Sequence, residues 1–338
     1  MHSPKARLNF VRTLSALLIA ASTVGAFAQV GMQRLSSAPA AAPVLIWYPT
    51  TETAVTRHMG PYQVTAALGA PPTGSKLPLA MLTHGTGGHE LAHAWLASKL
   101  AASGWVVVTP RAPRDNWKDR SGLSEATYFV DRPRQLSAQL DAVLSDPRWS
   151  ALIDVHRVVA IGHSAGGHSV LAMAGATVDA TRWLNHCSTA GRGLQEDAGM
   201  CRLAGFGVDR PASAADRGTG AVSVRDPRVK AVVGLAPMTR ALDVVSLRAI
   251  PVPLHLEVPL RDELLNSTMH GQELCEVVPK VSCWMDRGAG HFASFHPGTG
   301  PIGGGGVEPA HDPDGFDRVA WQAVAGDRIL RFLTQSLN

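Results

Sequence analysis

The chain is poor in charge and in aromatic residues: 17% of its 338 residues are charged and 6% are Phe, Trp or Tyr. So little charge beside 45% hydrophobic residues excludes a disordered chain, and no collagen period or charged heptad pattern is present. No pair of its four cysteines is spaced C-x-x-C, which removes zinc-ribbon and thioredoxin-like chemistry. No apolar run reaches the roughly 20 residues that span a bilayer. The run at 298–306 holds six glycines but no lysine and no P-loop spacing, so it reads as a surface loop rather than a phosphate cradle. Internal repeats are absent, and the length is ample for a core without metal or disulfide staples.

What is present begins with a leader. Residues 1–28 carry Lys5, Arg7 and Arg12, then a small apolar run closed by Ala26-Phe27-Ala28, the pattern of a secretory signal peptide cleaved before Gln29. No twin arginine precedes the run, which favours export of the unfolded chain. The formal charge of +4 falls to +1 without the leader, with 28 basic against 27 acidic residues, so a nucleic-acid partner loses its electrostatic support. In an oxidising compartment four cysteines imply two disulfides, and the local pairings Cys187–Cys201 and Cys275–Cys283 close short loops.

Residues 29–338 read as one α/β domain. Short apolar strands are expected at 44–48, 79–83, 105–109, 157–161, 229–235, 252–258 and 281–285. Helices are expected from His89, over 132–144, over 164–174 and over 316–333. This alternation predicts a mainly parallel central sheet flanked by helices. The polar, glycine-rich segment 181–228, which contains one cysteine pair, reads as an insertion or lid.

Chemistry-bearing residues cluster at three strand ends. Gly162-His163-Ser164-Ala165-Gly166 matches G-x-S-x-G. Chance alone yields this pattern in about one such chain in five, so its weight lies in the β-branched strand before it and the small-residue helix after it. Ser164 is the candidate nucleophile. His84-Gly85-Thr86-Gly87-Gly88 ends the second predicted strand, where the N–H groups of Thr86 and Ala165 form a candidate oxyanion hole. His291, within Gly288-Ala289-Gly290-His291-Phe292, is the candidate base, with His296 and His311 in reserve. The acid should follow a strand between Ser164 and His291; Asp262 is the choice, with Asp243, Glu257 and Glu263 as alternatives. Trp117, Trp183 and Phe292 are candidates to line the pocket.

His89-Glu90-Leu91-Ala92-His93 matches H-E-x-x-H, a zinc-peptidase pattern expected by chance only about once in sixty such chains. Its helix would start at His89 itself, and Lys99 stands where a third histidine ligand would be sought. The simpler role is helix-start chemistry, with Glu90 favoured by the dipole and His93 facing the cleft. No metal site is therefore assigned.

Together these stretches resemble the α/β-hydrolase fold, and more narrowly the bacterial predicted dienelactone hydrolases, relatives of the platelet-activating factor acetylhydrolases. The matching stretches are Trp47-Tyr48-Pro49, the strand and glycine-rich turn through Gly88, the G-x-S-x-G elbow, Asp226-Pro227-Arg228-Val229-Lys230-Ala231, and the loop carrying His291; they cover most of 43–296. The resemblance implies a cofactor-free serine esterase acting on a small-molecule or lipid-like ester, with Ser164, His291, Thr86 and Ala165 in the roles given above. Dienelactone hydrolases proper use a cysteine where this chain has Ser164. The acetylhydrolase relatives place the acid just after the strand ending near Leu235, where Ala236-Pro237 offers none. The usual Gly-Glu-x-Asp turn is replaced by Leu256-Glu257-Val258-Pro259-Leu260-Arg261-Asp262, in a shifted register. The readings from other classes are a zinc peptidase using His89 and His93, and a catalytically silent binding protein of the same fold.

Overall fold

The structure, a computed structural model, describes residues 29–39, 42–203, 205–213, 216, 220–302 and 308–338. The expected leader, 1–28, lies outside the described residues, as do parts of 181–228 and of the glycine-rich run.

The chain opens with antiparallel structure. Strands β1 (Gln29–Arg34) and β2 (Val44–Thr50) pair antiparallel, and β3 (Val55–Met59) and β4 (Tyr62–Leu68) form a hairpin whose β4 edge meets β1. The parallel part follows: β5 (Leu77–Thr83), α1 (Ala94–Ala102), β6 (Val106–Pro110), α2 (Tyr128–Ser145), α3 (Pro147–Leu152), β7 (Ile153–His163) and α4 (Ala165–Ala174). Among the described residues, three short helices follow α4: α5 (Ala180–His186), α6 (Gly193–Glu196) and α7 (Ala198–Leu203). The chain ends with β8 (Val229–Leu235), α8 (Val244–Arg248), β9 (Leu254–Pro259), a π-helical turn at Thr268–Gln272 running into α9 (Glu273–Val277), β10 (Ser282–Asp286) and α10 (Arg318–Ser336).

The ten strands among the described residues form one sheet in the order β10-β9-β8-β7-β5-β6-β2-β1-β4-β3. From β10 to β6 every neighbouring pair is parallel; β2 then joins β6 antiparallel. Alternation along the central strands sends side chains to two cores. Leu79, Met81, Val158 and Ala160 pack under α2 and α4, whereas Ala80, Leu82, Val159 and Ile161 pack under α1 and α10. This is the mixed α/β sheet with helices on both faces that the alternating pattern predicts.

Both expected disulfides are present, Cys187–Cys201 tying α5 to α7 and Cys275–Cys283 tying α9 to the edge strand β10. Among the described residues no helix is long and apolar enough to cross a membrane. The helix expected from His89 begins only at Ala94; 89–93 form a series of turns. Strands β1, β3 and β4 are additional to the seven predicted from sequence.

The sheet order fixes where a site can form. The chain steps from β5 outward to β6, then returns to the other side of β5 for β7. After β5 it leaves toward the face of α1, and after β7 toward the opposite face, that of α4. Such a reversal opens a crevice at the carboxyl ends of the two strands, the usual ligand position in open α/β sheets.

Candidate active site

Ser164 stands in that crevice. It follows β7 directly and holds φ 53° and ψ −116°, a conformation that a non-glycine residue adopts only under strain. Its neighbours hold it there: Ser164 N–H donates to the Leu235 carbonyl at 3.0 Å, and the Ser164 carbonyl accepts from Met238 N–H at 3.0 Å and His168 N–H at 3.1 Å. Thr83 lies opposite Gly162 in the β5–β7 ladder, so the two strand ends meet within a backbone's thickness. A Cβ on Gly162 would lie 2.1 Å from the Gly166 carbonyl oxygen, and one on Gly166 would lie 2.6 Å from that of Thr83.

The same edge of the sheet carries the candidate acid and the candidate base. Asp262 comes three residues after β9, and His291 five residues after β10. His291 Nδ1–H donates to Asp262 Oδ2 at 2.7 Å, with both side chains almost wholly buried. Burial pulls the His291 pKa down, but the charge and hydrogen bond of Asp262, with the charge of Glu263, outweigh it and raise the ring above its ordinary 6.5. Asp262 Oδ1 accepts the N–H groups of Leu264 and Leu265, which fixes the carboxylate in its turn. His163, between Gly162 and Ser164, steadies the ring from below: its Nε2–H donates to the His291 carbonyl at 3.0 Å. Burial holds the His163 pKa well below the ordinary value, so the ring is neutral and can make this bond through one nitrogen only. Ser164 and His291 are not hydrogen-bonded to each other.

The other acids are occupied elsewhere. Asp243 caps α8 through Ser246 N–H. Glu257 is buried in a paired grip from Arg328 of α10, at 2.8 and 2.6 Å, and accepts His255 Nε2–H as well. Glu263 accepts the backbone N–H of His291 at 2.9 Å but does not bond the ring. Of the reserve histidines, His296 donates to the Gln63 carbonyl, and His311 gives its carbonyl to Arg318.

The H-E-x-x-H residues do not converge. Glu90 is bound by Arg111 at 2.7 and 2.6 Å, His89 Nδ1 accepts Leu91 N–H, and His93 Nδ1–H donates to the Ser294 carbonyl at 2.7 Å. With α1 starting at Ala94, the two histidines lack the shared helical face that a metal pair requires. The expected helix-start role of Glu90 yields to this ion pair for the same reason.

Three residues that sequence reading did not single out hold the glycine-rich turn. Asp115 Oδ1 accepts Gly87 N–H at 2.7 Å, and its Oδ2 accepts the Tyr128 hydroxyl at 2.8 Å and lies 3.2 Å from Arg132. Arg132 also donates to the His84 carbonyl at 2.6 Å. Because the Tyr128 proton is committed to Asp115, the Thr86 hydroxyl donates to Tyr128, at 3.1 Å. Isolated polar residues on a loop and a distant helix leave no periodic signal in sequence.

Two spaces meet at Thr86. A cleft of about 770 Å³ is walled by Tyr62, Trp117, Arg120, Arg202, Glu263 and Phe292, among others. A slot of only about 10 Å³, scarcely room for one water, runs between Thr86, Phe129, Trp183, Met200 and Met238. Of the three pocket candidates, Trp117 and Phe292 therefore line the cleft and Trp183 the slot. Ala165 opens α4, so its N–H belongs to the helix's unpaired first turn. Gly162→Ala is expected to cost about 1–3 kcal/mol through backbone overpacking, read as a lower midpoint in denaturant unfolding.

No family model matches the chain, and no curated protein matches it. Among solved structures it is similar to a ferulic acid esterase from Streptomyces cinnamoneus, with a TM-score of 0.59 over 92% of this chain and 91% of that one, at 16% identity. At that identity the likeness is one of architecture: the chain has the α/β-hydrolase type of fold, a large sheet flanked by helices.

Proposed function

We propose that this chain is an exported serine hydrolase that cleaves carboxylic esters through an acyl-enzyme. The observation that carries the reading is the Asp262–His291 hydrogen bond, made at the same sheet edge where Ser164 is held at positive φ. Ser164 Oγ attacks the ester carbonyl and gives its proton to His291 Nε2, while Asp262 keeps the opposite nitrogen protonated and stabilises the cation. The N–H groups of Thr86 and Ala165 hold the oxyanion. On collapse His291 returns the proton to the departing alcohol; water, activated by His291, then releases the acid and frees Ser164. No step calls for a cofactor. The leader and the two local disulfides support export.

The two spaces support a division of the substrate. The alcohol is protonated by His291, so it departs on the side of Phe292, Glu263 and Leu264, which is the wide cleft. The acyl group lies on the other side of Ser164, toward Met238 and Trp183, which is the narrow slot. A slot this narrow restricts the acyl group to about the size of acetyl, and the cleft takes a larger, partly apolar alcohol.

On p-nitrophenyl acyl esters the wild type should turn over, Ser164→Ala should lose about 10⁴-fold or more in kcat, and a chelator should change nothing. Loss with chelator alone would revive the zinc peptidase, and no turnover across acyl lengths would favour a binding protein. Only neutral His291 acts as base, so activity falls as pH drops through its raised pKa. The acid limb of kcat/KM is therefore expected to inflect above 6.5, and Asp262→Asn to move it lower while cutting kcat. Trp183→Ala opens the slot and should shift the hexanoate-to-acetate ratio of kcat/KM upward about tenfold or more, since each pocket methylene is worth about that much.

A further inference from the structure

A second buried carboxylate lies behind Asp262, contributed by the inserted segment. Asp197, between α6 and α7, is 3% exposed and accepts three hydrogen bonds from two segments, the end of α5 and the turn at 266–270. Its Oδ1 takes Asn266 N–H at 2.8 Å; its Oδ2 takes His186 Nε2–H at 2.8 Å and His270 Nε2–H at 2.9 Å. Burial pushes the Asp197 pKa up, but the bonds from His186, His270 and Asn266 outweigh it and hold the carboxyl below the usual range, ionised.

The donors lead straight to the proposed triad. Asn266 closes the turn that begins at Asp262, whose own Oδ1 holds Leu264 N–H and Leu265 N–H at 2.9 and 2.7 Å. Asn266 Nδ2–H also donates to the Glu196 carbonyl at 2.9 Å, and α7 lies so close that a Cβ on Gly199 would sit 2.0 Å from the Leu264 carbonyl oxygen. His270 Nδ1 accepts Thr239 N–H at 3.0 Å, which fixes its tautomer and leaves Nε2–H for Asp197. Thr239 adjoins Met238, whose N–H donates to the Ser164 carbonyl. Cys187–Cys201 brackets Asp197 and limits how far α5 and α7 can part.

We propose that Asp197 is a positioning residue: it anchors the far end of the Asp262 turn and, through His270, the loop against Ser164, so that the inserted segment sets the geometry of the acid. The proposal rests on Asp262 being the triad acid. Apolar packing would attach α7 without burying a charge; a carboxylate adds direction, because three donors from two segments must converge on its two oxygens. In Asp197→Asn the amide NH2 meets either Asn266 N–H or the two histidine N–H groups, so in either orientation at least one donor loses its acceptor.

The test compares Asp197→Asn, His270→Phe, His270→Gln and His186→Phe with wild type and Asp262→Asn on one neutral ester, following kcat, KM, the pH profile and near-UV circular dichroism. Asp197→Asn and His270→Phe are expected to lower kcat about tenfold or more at little-changed KM and to move the acid limb of kcat/KM to lower pH. His270→Gln, whose amide can both accept and donate, should recover part of both. His186→Phe removes only the donor that does not lead to the triad, and should leave the acid limb in place. A folded Asp197→Asn with wild-type kcat and acid limb overturns the proposal, as does a shift no different from that of His186→Phe. If Asp197→Asn does not fold, equal kcat and acid limbs in His270→Phe and wild type overturn it. Asp262→Asn with wild-type activity would instead overturn the triad reading itself.

Discussion

The arrangement depends on a backbone contact with no room to spare. The carboxyl ends of β5 and β7 and the first turn of α4 touch through main-chain atoms at Gly162 and Gly166. Side chains there would hold the glycine-rich turn away from the start of α4. The strain at Ser164 is the local counterpart of this constraint: to follow the strand and start the helix at once, the serine must take a positive φ. Hydrogen bonds from Ser164 N–H to Leu235, and to the Ser164 carbonyl from Met238 and His168, offset that strain.

Around this contact the site is built from charges whose partners lie far away in sequence. Asp115, Tyr128 and Arg132 brace one wall, and Glu90 with Arg111 braces the outer turn. Asp197 with its two histidines stands behind the acid. Each buried carboxylate has several donors, as the interior requires, since one left unpaired would be costly. The crevice floor is thus held mainly by polar contacts, while the apolar cores above and below the sheet carry the fold.

Much of this was legible in the sequence because it rests on local pattern. The seven predicted strands stand as apolar runs, and Ser164 and His291 sit in glycine-marked turns after two of them. Strand β3, Val-Thr-Arg-His-Met, is almost wholly exposed and has no apolar face to betray it, while β4 alternates but gains meaning only from β1 beside it. Four acids competed for one role because the choice depends on tertiary contacts: Glu257 is removed from contention by Arg328, 71 residues away. The start of the helix after the glycine-rich turn was misplaced for the same reason. A helix from His89 agrees with local periodicity, but Arg111 claims Glu90 and the chain turns instead.

The two disulfides have a consequence for how the molecule is made. The cysteines pair in order, first with second and third with fourth, at sequence separations of 14 and 8. In an oxidising compartment, each bond can close as soon as its second thiol emerges, before the next cysteine is there to compete. The short loops also carry a small closure cost relative to the long-range pairings. Oxidative maturation of this chain therefore needs oxidant but little reshuffling, and neither bond ties the order of the central strands.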